Sequence, residues 1–538
     1  MIAAPLIEAL RRGRSCRRAR GAMSVCLDVS LRPRSSRRAV LRPSSSWSSS
    51  TSAGTSDAVS SPPVSFLSSG GSDARSSILM KYVTPILTSK VYDVCSETPL
   101  SFAPNCSGQI GNNVYLKRED LQEVFSFKIR GAYNKMINLS AEQRETGVVA
   151  CSAGNHAQGV AMSCKFLKTR GVIVMPVATP KIKVESVKRL GGQHVTVVLK
   201  GDNYDDAYYE ALSYVNEKGY ALIHPFDDPH VIAGQGTIAM ELVRQAANFD
   251  SLDAVFVCCG GGGMLSGIAA YIKAVKPEVK VIGVEAEDAN GMTESLKMGK
   301  VTSLKNVGLF ADGAAVRKIG DETFRVCNEL VDGMVNVNTD EICNAIKISY
   351  NDARVVLEPA GALGVAGLIK YVKENGVSGK NLVAITSGAN MDFDRLRFVS
   401  ERSDYSERMI SVRIPEREGS FRSLYNLIAP RNVTEFSYRY RSDSHATVIM
   451  SFQPLPSPPG DPSDFAVVMD RLRVEGYEAN DLSDNDLAKD HAKHMVGGRA
   501  ENIDERLFRF EFPESPGALK NFLVSEASKA NWNWKVYE

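Results

Sequence analysis

Lys128 lies between Phe127 and Ile129 in the run Phe125-Ser126-Phe127-Lys128-Ile129-Arg130-Gly131-Ala132. Lysines ordinarily face water, but an apolar setting lowers the pKa of an ammonium and makes the free amine nucleophilic. The chemistry that suits such an amine is Schiff-base formation with a carbonyl. Cys151-Ser152-Ala153-Gly154-Asn155-His156-Ala157-Gln158-Gly159 joins small residues to a polar Asn, so that backbone N–H groups can approach an anion at a helix start. His156 invites a general-base reading, although a lone histidine in a small-residue turn more often packs or hydrogen-bonds. Gly260, Gly261, Gly262 and Gly263, followed by Met264, strip side chains from a turn and leave backbone amides to cup a phosphate. Leu265 and Ser266 stand where the third glycine of G-x-G-x-x-G would fall, and no Gly-Lys-Ser/Thr follows. A single-phosphate cup and a plain flexible turn remain. Thr386-Ser387-Gly388-Ala389-Asn390 adds a hydroxyl that alone would read as a cap but completes a set with the amine, the Asn turn and the cup.

These segments need a frame, and the apolar runs supply one. Val114–Leu116, Val148–Cys151, Val172–Met175, Val195–Leu199, Ala254–Cys258, Val281–Val284 and Leu382–Thr386 alternate with amphipathic stretches between Ile78 and about Phe398. Short continuous apolar runs ending in glycine-rich or polar turns predict an α/β fold. Its parallel sheet has helices on both faces and ligands at the carboxyl ends of the strands.

The remaining composition bounds the function. At 538 residues with 43% hydrophobic and 23% charged residues, the chain has material for several buried cores. Its formal charge of +2 conceals +8 on residues 1–60, which carry 11 Arg and no Lys, and so −6 on the rest. The body offers no basic stripe for nucleic acid, and no apolar run is long enough to span a membrane. Residues 1–75 are Arg-rich, then Ser-rich, and poor in acids. That composition predicts a disordered transit peptide for an organelle, a plastid more than a mitochondrion by its serine run. Ten cysteines without a C-x-x-C, and His491 and His494 without further partners, predict reduced structural thiols and no metal site.

After Phe398 a repeat begins. Glu407-Arg408-Met409-Ile410-Ser411-Val412-Arg413-Ile414-Pro415-Glu416 recurs as Glu505-Arg506-Leu507-Phe508-Arg509-Phe510-Glu511-Phe512-Pro513-Glu514, and each copy runs through a glycine into a helical pattern. The first copy has room for a full small module. The second stops at Glu538 and is expected to be partial.

The constellation resembles the fold-type II pyridoxal-phosphate enzymes, and among them the biosynthetic threonine deaminase family. The likeness runs from Lys90-Val91-Tyr92-Asp93-Val94 through Lys128, the Asn155 turn, the tetraglycine and Ser387-Gly388-Ala389-Asn390. It continues through Arg397-Phe398-Val399-Ser400-Glu401-Arg402 and Val433-Thr434-Glu435-Phe436 to Met495-Val496-Gly497-Gly498-Arg499, about 460 residues in all. The resemblance implies a catalytic domain of two parallel-sheet α/β lobes over 76–398. After it come an ACT-like regulatory subdomain over 399–481, a linker over 482–504 and a partial second subdomain over 505–538. It implies pyridoxal 5'-phosphate as cofactor, with Lys128 its covalent anchor and the base. Asn155 would meet the ring hydroxyl, Gly260 to Met264 the phosphate, and Ser387 the pyridine nitrogen. Ser152, Gly154 and His156 would lie along the loop receiving the substrate carboxylate.

The implied reaction is β-elimination from L-threonine, and from L-serine, giving 2-oxobutanoate and ammonia from threonine, as the first committed step of isoleucine biosynthesis. A homotetramer and the effectors isoleucine and valine are implied too. The alternatives are a broader serine/threonine dehydratase and a non-catalytic amino-acid sensor, and the complete cofactor set argues against the sensor. Three features depart from the pattern. Asp312 stands where family members commonly carry Glu, and the second repeat is short, which puts feedback control in question. Ala153 replaces the serine that racemases of this fold use as the opposite acid/base.

Overall fold

A computed structural model describes residues 26–30, 72–246, 252–402, 408–442, 444–455, 463–483 and 533–537. The chain divides into two units, one of residues 52–407 and the other of residues 408–538 with 1–51.

The first unit holds two sheets. Six strands run in the order Gly333–Val337, Lys280–Ala286, Ala254–Cys258, Asn381–Ile385, Asn113–Lys117 and Leu100–Phe102, all parallel except the last. Four parallel strands form the smaller sheet, in the order Val195–Leu199, Gly171–Met175, Val148–Cys151 and Ala221–Leu222. All seven predicted apolar runs are strands. They are legible because a sheet covered on both faces needs apolar side chains at every position. Neighbouring residues of one strand show both faces in use. A Cβ on Gly283 would meet Leu265 of the helix Gly263–Val275, while Val284 lies against Gly367 of the helix Pro359–Asn375. Burying each such Val or Ile contributes about 1.5–3 kcal/mol.

Local sequence sets the helix starts that matter for the site. Asp228 caps the helix Pro229–Gln245 through His230 and Val231, with Pro229 in the first turn. Pro359 opens Pro359–Asn375 directly after Glu358, and Gly376 ends it in the left-handed conformation. Among the described residues no helix is long and apolar enough to cross a membrane. The eight cysteines from Cys95 to Cys343 are buried and free.

In the second unit, one antiparallel sheet runs Asn432–Ser442, His445–Gln453, Arg408–Pro415 and Glu478–Asp481. Its helices Ser420–Ile428 and Asp464–Val474 cover Ile410, Val412, Ile414, Val448 and Met450. This is a β-α-β-β-α-β module, the first of the two repeats. The second repeat lies outside the described residues except for Asn533–Tyr537. That strand pairs antiparallel with Cys26–Ser30, so the leader expected to be disordered over 1–75 contains a strand. The leader also gives way to a helix, Ser72–Leu87, before residue 75. A short run with Leu and Val has the propensity for a strand that the surrounding Arg and Ser obscure.

Candidate active site

Three of the parallel strands, Val148–Cys151, Ala254–Cys258 and Asn381–Ile385, end in segments marked by the sequence, and Asn113–Lys117 leads through a turn at Glu119–Leu121 to the fourth. Lys128 is the first residue of the helix Lys128–Ile137. The loop before it is laced to the Ser387 segment. Phe127 N–H donates to Ser387 O at 3.2 Å, Ala389 N–H donates to Phe125 O at 2.9 Å, and Ser126 pairs with Gly388. Phe125 takes a φ of +54°, a left-handed turn that ordinarily favours glycine.

The Lys128 Nζ donates to Pro225 O at 3.1 Å and lies 5.3 Å from the Phe127 ring centre. Burial pushes its pKa down to about 8, against the pull of Cys258 and Glu358 in the other direction. One neutral carbonyl is a poor partner for an ammonium, so this amine is readily released as the free base. Ser387 is buried and its Oγ donates to Ala360 O at 3.3 Å. Burial raises the Cys258 thiol to about 12, while Ser387 and Lys128 beside it pull it down.

The tetraglycine forms the start of the helix Gly263–Val275, where the first amides have no preceding carbonyl to bind. Gly262 adopts φ +92°, and a Cβ on Gly261 would stand 2.2 Å from the Phe226 ring, so neither position accepts a side chain without rearrangement. Thr323 Oγ1 ties the turn down by donating to Gly261 O at 2.7 Å. Met264 is buried behind it.

Asn155 opens the helix Asn155–Leu167 with Gly154 at its cap position. Its Nδ2 donates to Glu358 Oε1 at 2.6 Å, and its Oδ1 accepts from Asn390 Nδ2 at 2.7 Å. Ser152 Oγ accepts from Gly154 N–H at 3.2 Å. The His156 ring is buried with Nε2 2.7 Å from Ile223 O, and burial with Lys128 nearby drives its pKa to about 3. A neutral ring committed to a backbone carbonyl holds the fold together. Only the His156 backbone amide, in the helix's first turn, remains for a carboxylate.

Glu358, Pro225 and Phe226 join the site from outside the four marked segments, and Asn390 holds a role of its own within the last of them. Glu358 is buried, and burial, then Asp312, raises its pKa to about 7 against Asn155, Lys183 and Lys128. The signal that could have marked it is one acid before Pro359-Ala360-Gly361-Ala362, in a stretch otherwise built for packing.

An amine of lowered pKa, a phosphate cup barred to side chains, a polar Asn and a buried hydroxyl fit pyridoxal phosphate. Residues 91–388 match the model of the pyridoxal-phosphate dependent enzymes, and residues 399–492 match that of the C-terminal regulatory domain of threonine dehydratase. The chain belongs to the threonine dehydratase family of pyridoxal-phosphate dependent enzymes. It is 50% identical over 460 residues to the chloroplastic biosynthetic threonine dehydratase 1 of Solanum lycopersicum, covering 85% of this chain and 74% of that one. With the mitochondrial threonine dehydratase of Schizosaccharomyces pombe it shares 49% identity over 449 residues, covering 82% and 74%. The processed form of threonine deaminase isoform 2 from Solanum lycopersicum superposes with a TM-score of 0.61 at 47% identity, over 63% of this chain and 97% of that one. The family's cofactor is pyridoxal phosphate, and this chain is an enzyme of that class.

Proposed function

We infer that the chain is a threonine ammonia-lyase, converting L-threonine to 2-oxobutanoate and ammonia at the first committed step of isoleucine biosynthesis. L-Serine is its second substrate. The observation that carries the reading is the buried Lys128 amine held at Pro225 O, beside the Phe226 ring that packs on the glycine cup, on a loop laced to the Ser387 segment.

Pyridoxal phosphate supplies a carbonyl that condenses with amines and a ring that accepts the electron pair released at Cα. The chain's own residues do the rest. Lys128 would hold the cofactor and, as a free amine, would be the base that takes the Cα proton; its pKa near 8 leaves neutral amine available close to neutral pH. Amides of Gly260 to Met264 would bind the phosphate at a helix start. Asn155 would meet the ring hydroxyl, and the amides of the Ser152–His156 loop would take the substrate carboxylate. Ser387 would offer its hydroxyl to the pyridine nitrogen, a neutral partner where a carboxylate would favour a protonated ring. Water leaves, and the aminocrotonate formed tautomerises and hydrolyses to the oxo acid and ammonia. The Ala153 methyl cannot return a proton to Cα, which favours elimination over racemisation.

Residues 399–492 serve regulation, with isoleucine as inhibitor and valine as activator, on a homotetramer housed in the plastid. The Ser-rich leader and the chloroplastic relative support that compartment. Steady-state turnover of threonine against serine, with and without isoleucine, tests the whole reading. Threonine should be the better substrate, and isoleucine should lower its turnover. Equal use of both amino acids would favour the broader serine/threonine dehydratase. No turnover of either, by protein carrying the cofactor, would leave the non-catalytic sensor.

A further inference from the structure

Glu358 is a buried carboxyl group for which no ion pair occurs among the described residues, and it is held at the meeting point of three loops of the site. Its Oε1 accepts from Asn155 Nδ2 at 2.6 Å. The same oxygen stands 2.2 Å from where a Cβ on Gly388 would lie and 3.6 Å from one on Gly313. Its backbone N–H donates to Gly388 O at 3.2 Å, which fixes it against the residue that follows Ser387. The Asn155 amide is thereby gripped at both ends, since Asn390 Nδ2 donates to its Oδ1 and also to Val124 O at 2.8 Å.

A buried carboxyl group costs several kcal/mol unless its acceptors are used, so a site seldom keeps one idle. An amide nitrogen carries two N–H groups, and Glu358 takes one. The other then has a fixed direction. Resting on the reading of the site given above, we propose that Glu358 is a positioning residue that acts through Asn155, setting which edge of its amide is presented to the ring of the cofactor. The Lys128, Asp312 and Lys183 charges face the same carboxyl group. Burial and Asp312 favour its neutral form, and the two lysines oppose them. A group poised in this way is expected to work in the neutral form as well, because a carbonyl oxygen of either form accepts the Asn155 N–H. Reach therefore matters more than charge.

Substitution separates the two. Glu358→Gln keeps an oxygen at the same reach and removes the charge. Glu358→Asp keeps the charge and withdraws the oxygen by about one methylene, while Glu358→Ala removes both. The measurement is the affinity of the apoprotein of each variant for pyridoxal phosphate, followed by fluorescence titration, with melting temperature as the control for folding. The Gln variant should bind within about threefold of the unmodified chain, and the Asp and Ala variants tenfold or more weaker. In turnover, the Asp variant should lose kcat with threonine more than it changes KM. Should the Ala variant not fold, the order of Gln and Asp still decides. Asp binding as well as or better than Gln, or all variants binding like the unmodified chain, overturns the proposal. A failure of Lys128→Ala to abolish turnover would instead overturn the reading of the site, so the two failures are distinct.

Discussion

Lys117 and Lys128 flank one loop and serve different chemistry. The Lys117 ammonium has no exposure and donates to Thr98 O at 2.5 Å, Glu241 Oε2 at 2.5 Å and Gln245 Oε1 at 2.9 Å. All three of its hydrogens are used. Burial lowers its pKa, and Glu241, with Glu119, pulls it back. Arg130 continues the same buried network, donating to both oxygens of Glu119 at 2.8 Å and to Glu241 at 2.6 Å. Lys128 has Pro225 O and, among the described residues, no carboxylate paired with it. A buried lysine with a carboxylate and a full set of acceptors is a structural cation; one with a single neutral acceptor is a nucleophile in waiting. The difference lies in the partners, and the local sequence hints at it: Lys128 lies between Phe127 and Ile129, while Lys117 has Leu116 on one side and Arg118 on the other.

The largest effect expected on this contrast comes from Lys128→Ala. Turnover of threonine should fall by about 10⁴-fold or more, because the covalent anchor and the base go together. The melting temperature should hardly move, since among the described residues the one side-chain hydrogen bond lost is to Pro225 O. Activity within about tenfold of the unmodified chain would break the assignment.

Lys117→Met should do the opposite. It leaves Glu241 buried with one cation fewer, a cost of about 3 kcal/mol at the low end for broken buried pairs, because Arg130 and the Tyr92 hydroxyl still face that carboxylate. Denaturation by urea, followed by far-UV circular dichroism, measures it. What remains folded should keep its turnover per bound cofactor. A loss below about 1 kcal/mol would mean that Lys117 is not holding the network.

The strands of the sheets could be read because parallel strands buried on both faces are apolar without interruption. Leu100–Phe102, Ala221–Leu222 and Gly333–Val337 could not, being two or three residues long or broken by glycine and Asn336. The chemistry of Lys128, Asn155, the tetraglycine and Ser387 was marked by residue types at strand ends. The role given to Glu358, the carbonyl of Pro225 and the ring of Phe226 was hidden. Their neighbours come from loops more than 90 residues away in several cases, and only the folded chain brings them together.

The contrast between the lysines sharpens when it is titrated. In the apoprotein, trapping of pyridoxal phosphate by cyanoborohydride should occur at Lys128 and not at Lys117. The free base is the reactive form, and a pKa lowered to about 8 means half of Lys128 is free base there. The trapping rate should therefore rise as pH passes through about 8 and level off above it. An ordinary lysine, near 10.4, would still be rising about two pH units higher. Peptide mapping after digestion identifies the site. A rate still climbing above pH 10 would place Lys128 among ordinary exposed lysines.

A third lysine completes the series at its weak end. Lys183, in the helix Lys181–Gly191 that follows a strand of the small sheet, reaches Asp312 at 2.9 Å. Asp312 precedes Gly313 beside Glu358, and Arg395 Nη1 stands 3.7 Å from its other oxygen. The pair therefore ties the small-sheet lobe to the loops of the larger one at the edge of the site. Its side chains are 29% and 35% exposed, so water screens it and its worth is about 0–1 kcal/mol. Lys183→Ala should accordingly raise KM for threonine by no more than about fivefold, 1 kcal/mol expressed as a ratio, with kcat nearly unchanged. Salt gives the control, because a screened pair weakens as ionic strength rises. The difference between the variant and the unmodified chain should shrink between low salt and about 1 M sodium chloride. A difference that survives high salt, or a loss concentrated in kcat, would show that Lys183 acts on the chemistry and not as a weak tie between the lobes.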